Sequence, residues 1–193
     1  MNAALHALRP ALSLFLLLSA LTGLAYPLLV TALAQTLFPE RAAGSLIRDG
    51  EQVTGSALIG QPFSSPGHFW SRPSATATQP YNGAASGGSN LGANNRVLVD
   101  AVAQRIAALR AADPDNRAPV PVDLVTASAS GLDPDISLAA ARYQAARVAR
   151  ARGLDPAAVE ALIERHAHHP WLGFVGEPRV NVLALNRALA ALR

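Results

Sequence analysis

The sequence predicts an α+β protein: one N-terminal transmembrane helix followed by a single compact mixed α+β extracytoplasmic domain. Three observations carry that prediction. Residues Pro10 to Pro39 contain no Asp, Glu, Lys, Arg or His. The remaining length suits one domain with its own core, not two. Downstream, stretches of helical apolar spacing are interrupted by short β-branched segments rather than by a regular βαβ rhythm.

The elements follow in order. Residues 1–10 form a short tail with His6 and Arg9, and residues 11–34 the span. The apolar heart, Leu12 to Leu33, extends about 33 Å as a helix, enough for a ~30 Å hydrocarbon core. Pro27 lies inside it, which a membrane helix tolerates with a kink. Tyr26 and Phe38 suit the outer interface. Ala32-Leu33-Ala34 before Gln35 also fits a signal-peptidase site, so a released, secreted protein competes with a retained anchor. The apolar run exceeds the ~7–15 residues of a signal core, which favours retention. Arg9 before the span and Arg41 and Arg48 after it leave orientation undecided by charge. The short tail before a large domain points to a cytoplasmic N-terminus and an exported domain, residues 35–193.

Residues 35–55 lead to a first strand near Val53–Ile59, stopped by Gly60-Gln61-Pro62. Residues 60–96 are rich in Gly, Pro, Ser, Asn and Thr and read as a long loop. Phe63, Phe69, Trp70 and Tyr81 within it argue against disorder. Val97 to Ala112 reads as an amphipathic helix through Leu98, Val102, Ile106 and Leu109. Val120 to Thr126 alternates like a strand, with Pro121 confining it to an edge. Ser137 to Arg152 is a second helix closed by Gly153. Asp155 caps a third with Pro156 at its first position, and Asn181 caps a last helix carrying Val182, Leu185, Leu189 and Leu192.

Composition removes several chemistries. There is no cysteine, hence no disulfide framework or thiolate metal site. All basic residues are Arg, which excludes a P-loop lysine and Schiff-base catalysis. The net charge of +3 and the lack of basic stretches interleaved with aromatics argue against a nucleic-acid partner.

Four constellations could carry chemistry. Tyr81 to Asn95 offers glycine amides and Asn and Ser side chains that suit an anion cradle or a structured turn-rich loop. Asp133 and Asp135 flank Pro134 as a carboxylate pair, or as the acidic start of a helix. His166, His168 and His169 would suit a metal, but no partner ligand spacing accompanies them, and no metal is assigned. Arg142, Arg147, Arg150 and Arg152 spread around their helix, as a solvated or ion-paired face does, or as a docking surface for acidic groups or lipid heads. No Gly-x-Ser-x-Gly or Ser-His-Asp arrangement is evident, and no catalytic residue is assigned.

The order of these segments resembles the C subunit family of the bacterial Kdp potassium-transporting ATPase. The resemblance rests on Gly55–Ala75, Tyr81–Gly92, Pro119–Ser137, Tyr143–Leu154 and Leu172–Asn186, in one order behind one span. Ala93-Asn94 stands where Pro-Thr is common, Ala129 where Gly is usual and Asp135 where His is usual. The resemblance implies a non-catalytic accessory subunit of the cytoplasmic (inner) membrane. Its implied partners are a channel-like potassium-binding subunit, a P-type ATPase subunit, the lipid bilayer and, in many species, a small single-span peptide subunit. It also implies a chaperone-like effect that raises the ATPase subunit's affinity for ATP. An exported domain cannot touch cytoplasmic ATP, so no cofactor is assigned to this chain and ATP enters only through the ATPase subunit. Asn82, Ser86, Gly87, Gly88, Ser89, Asn90 and Asp123 are the expected partner-facing or loop-organising residues. A membrane-tethered extracytoplasmic enzyme or solute-binding domain is the competing reading.

Overall fold

The computed structural model describes residues 2–171 and 173–192. Leu172, which opens the last sequence block, and the end residues Met1 and Arg193 lie outside the described residues. The chain forms two compact units, one ending at Leu46 and one beginning at Ile47.

The first unit is helical. Helix α1 (Asn2–Ala20) continues through a π-helical segment, Leu21–Ala25, into α2 (Tyr26–Leu37), and a short α3 (Pro39–Ala42) follows. The cause of the π segment is Pro27: it has no N–H and its ring crowds the carbonyl four residues back, at Gly23. Widening one turn, with the Tyr26 N–H donating to the Leu21 carbonyl, relieves that conflict without ending the helix. His6 to Leu37 is one helical stretch of 32 residues, long and apolar enough to cross a membrane; an 18-residue run within it has mean hydropathy 2.0 and no buried residue.

The second unit is mixed α+β. Strands β1 (Leu46–Asp49) and β2 (Gln52–Ser56) form a hairpin over Gly50-Glu51. A long irregular segment follows, and then α4 (Arg96–Ala112) with Asn95 as its cap. Strand β3 (Asp135–Ser137) runs into α5 (Leu138–Arg152). Helix α6 (Pro156–His166), β4 (Ala167–His168), β5 (Arg179–Asn181) and α7 (Val182–Ala191) complete the order. The strands β3, β5 and β4 form an antiparallel sheet with β5 in the middle; Ile136 opposes Val180, and Val180 opposes Ala167.

The core lies where α5, α6 and α7 pack on one another and on this sheet. Helix α5 contributes Ala140, Ala141, Val148 and Ala149, small residues that let neighbours approach closely. Val159 and Ile163 of α6 and Leu185 and Leu189 of α7 fill the space between. The caps fall where the sequence puts them. Asp155 accepts from the Ala157 N–H, Asn181 from the Ala184 N–H, and Gly153 takes the left-handed conformation after α5.

Two expectations are corrected. Val120 to Thr126 is no strand: Val122–Leu124 is a 3-10 turn. Pro119 and Pro121 supply no N–H to a ladder, and the Thr126 hydroxyl bonds the Val122 carbonyl instead. The strand expected over Val53–Ile59 ends at Ser56, beyond which Ile59 makes only a single bridge back to Ser56.

Candidate functional site

The irregular segment after β2 is held by polar side chains from two helices. Asn186 of α7 accepts from the Phe69 N–H at 2.8 Å and donates to the Phe69 carbonyl at 2.9 Å. Gln144 of α5 treats Trp70 the same way, at 2.7 and 3.1 Å. Each amide thus pairs with one residue's backbone as a neighbouring strand would. Arg147 completes the clamp. It donates to the carbonyls of Pro66 and His68 and to the Gln144 side chain, and its guanidinium sits 4.6 Å from the Trp70 ring centre. Burial pushes the Arg147 pKa down to about 10, with Asp113 pulling it upward, so it stays charged at neutral pH. Phe69, wholly buried, joins the core although it lies in no helix or strand.

His68 stacks on Phe63 beside this clamp. Burial first, then the charges of Arg152 and Arg147, hold its pKa below the ordinary 6.5. Below 6.5 the unfolded chain therefore takes up a proton that the folded domain refuses, until pH falls past the lowered folded value. Stability should decline as pH drops from 7 through that window. His68→Phe, which keeps the stack, should flatten the decline in urea midpoints measured from pH 7 to pH 5.

The Ser/Gly/Asn loop is fastened by its own chemistry. Asn82 accepts from the Ala84 N–H and donates to the Ala77 carbonyl and the Thr78 hydroxyl, capping a 3-10 turn at Gly83–Ala85. Ser86 and the Gly87 N–H both donate to the Ser130 carbonyl. Gly88 runs against Ala129, where a Cβ would lie 2.9 Å from the carbonyl oxygen. Ser89 and Asn90 are exposed, Asn90 with φ +51. Asp123 is placed apart from this loop: its carboxylate accepts from the Ser137 N–H at 2.7 Å and the Ser137 hydroxyl at 3.1 Å. Tyr81 anchors the other end, its hydroxyl donating to the Arg72 carbonyl while burial raises its pKa.

Asp123 borders an open cleft of about 510 Å3 that also involves Arg72, Asp133, Asp135, Glu177 and Arg179. Asp133 pairs with Arg72 at 2.8 Å and Asp135 with Arg179 at 2.9 Å. The helix-start reading of these carboxylates is corrected: Asp135 opens β3, and Ser137 caps α5 by accepting from the Ala140 N–H. Asp133 instead turns the chain by accepting from the Asp135 N–H. The two carboxylates reach separate cations, which suits a charge-balanced surface better than paired acid–base work.

The histidines separate. His166 bonds the Leu162 carbonyl, His169 pairs with Glu164 at 3.2 Å, and His168 opposes Arg179 in the sheet. The arginines divide too: Arg142 meets Glu164 at 3.0 Å, Arg150 pairs with Asp113, and Arg152 donates to the Gly67 carbonyl. Arg147 departs from the expected surface role, because the segment carrying Pro66 and His68 covers it. The residues that sequence reasoning missed are Gln144 and Asn186. Their signal was present: each is a polar residue interrupting the buried stripe of its helix, beside Ala141 and Val148 or Leu185 and Leu189.

Residues 8–191 match the family model described as KdpC: K+-transporting ATPase, c chain. The chain is 69% identical over 186 residues to the "Potassium-transporting ATPase KdpC subunit" of Variovorax paradoxus, covering 96% of each chain. It is 68% identical to the protein of that name from Methylibium petroleiphilum, over 96% of this chain and 97% of the relative. It is 60% identical to that from Sorangium cellulosum, over 96% and 98%.

Proposed function

From the premise that this chain belongs to the KdpC family of potassium-transporting ATPase subunits, we propose a non-catalytic accessory subunit that stabilises assembly of an ATP-driven potassium-uptake complex. Its partners in this reading are the channel-like potassium-binding subunit and the P-type ATPase subunit, with a small single-span peptide where one exists. The span anchors it in the cytoplasmic membrane, the N-terminus stays inside, and the domain docks outside.

One observation carries the reading. The buried polar side chains Gln144, Arg147 and Asn186 all bind the domain's own backbone, and they make a rigid docking body of an otherwise irregular chain. The cleft of about 510 Å3 favours a solute-binding role as the second reading, but Asp133 and Asp135 there already hold arginines.

The Ser/Gly loop does not fit a phosphate cradle. Its Gly87 N–H is bonded to Ser130, and Gly88 lies against Ala129. An effect on ATP affinity then passes through the partners as a coupling free energy, with the span as one route. Such coupling is reciprocal: bound ATP tightens the hold of the ATPase subunit on this chain by the same factor.

The test uses the absence of cysteine. Ser89→Cys, on an exposed site, should react with an impermeant maleimide from the outer side of the membrane. Labelling from the cytoplasmic side alone overturns the exported placement.

A further inference from the structure

Seven aromatic residues of the Phe, Trp and Tyr types fall within the second unit, and five are buried or half-buried. The two that are not stand in one segment, the connection from β4 to β5. Trp171 is 94% exposed and Phe174 79%, and Val175 beside them is 61% exposed. Pro170 to Gly176 carries no charge. A folded domain that buries its other aromatics and displays these gains nothing from them for its own stability, and such patches mark interaction surfaces.

We propose that this tip, through Trp171, Phe174 and Val175, is the hot spot by which the domain docks into an apolar, uncharged pocket on the outer surface of a larger subunit of the same complex. The inference rests on the reading of the domain as an exported docking subunit. Its base is fixed by the pairing of Ala167 with Val180 and His168 with Arg179, and a turn closes it from the Gly173 N–H to the Pro170 carbonyl. A tip held this way loses less freedom on binding than a loose loop.

The surroundings select a protein over a lipid surface. A segment that dips into a bilayer is favoured by a basic collar facing anionic headgroups. Here the flanking charges alternate in sign. Glu177 adjoins the tip on one side and His169, bonded to Glu164, on the other, while Arg179 is neutralised by Asp135. An apolar centre inside a charge-balanced polar rim is the anatomy of a protein interface, with Trp the residue most enriched at its energetic centre.

The experiment takes the full chain, expressed with its complex and extracted in mild detergent. The Trp171→Ser, Phe174→Ser double variant should recover larger subunits at least about tenfold less well than the unaltered chain. It should remain in the membrane with an unchanged melting temperature, because both side chains face solvent. Trp171→Phe should retain most of the recovery. Equal recovery by the double variant overturns the proposal while leaving the docking function standing. Failure of the unaltered chain to bring down larger subunits overturns both. Iodide quenching of tryptophan supplies the remaining arms. Protection on assembly supports the proposal. Protection of the chain alone in phosphatidylcholine or phosphatidylglycerol nanodiscs, or on its self-association, assigns the tip to lipid or to a second copy and overturns it.

Discussion

Asn186→Ala should destabilise the domain by about 2–6 kcal/mol, because it strips partners from two buried backbone groups at once. The Phe69 N–H and carbonyl have Asn186 as their partner, and Phe69 lies wholly inside the core. Water has no ready access there to replace the amide, so each orphaned group costs roughly 1–3 kcal/mol. For a domain of this size the melting temperature should fall by roughly 10 °C, read by near-ultraviolet circular dichroism of the detergent-extracted chain. The same substitution at Asn94, exposed and without a comparable bonding role, should leave it nearly unchanged. A shift under about 2 °C for Asn186→Ala would mean that the irregular segment does not depend on this clamp.

That prediction marks the limit of what could be seen in the sequence. The span was legible because a membrane core imposes one simple rule, about 20 apolar residues without charge. The helices α4 to α7 were legible through apolar spacing, and the last two also through the caps Asp155 and Asn181, which accept from the first turn of their helix. The three-stranded sheet was not. Strands of two or three residues, such as Ala167–His168 and Arg179–Asn181, are too short to show an alternation, and their pairing is set by partners distant in sequence. Val120 to Thr126 misled for the opposite reason, since it alternates well while Pro119 before it and Pro121 within it supply no N–H to a ladder. At the candidate site, the turn chemistry of Asn82, Ser86 and Gly88 could be anticipated from residue type, but the neighbours that bind them, Thr78, Ala129 and Ser130, could not. Asp123 shares no wall with them; its partner is Ser137.

Phe69→Ala should cost a comparable amount, about 3–5 kcal/mol, the usual range for deleting a fully buried aromatic ring. The substitution separates packing from backbone pairing. It removes the ring from among the core helices but leaves the Phe69 N–H and carbonyl free to keep their bonds to Asn186. No helix or strand is interrupted, since residue 69 belongs to neither. A loss of this size, large beside the ~5–15 kcal/mol that holds a domain together, would make the irregular segment part of the core rather than a covering. The double variant Phe69→Ala, Asn186→Ala then tests whether ring and clamp act as one body. Once the ring is gone the segment is held less firmly, and the amide has less to lose when it is removed. The two costs should therefore fall short of additivity by about 0.5–3 kcal/mol in urea-unfolding free energies. Strict additivity would mean that ring and amide secure the segment independently. The segment would then be held by two attachments side by side rather than as one rigid body, and strain at either would stay local.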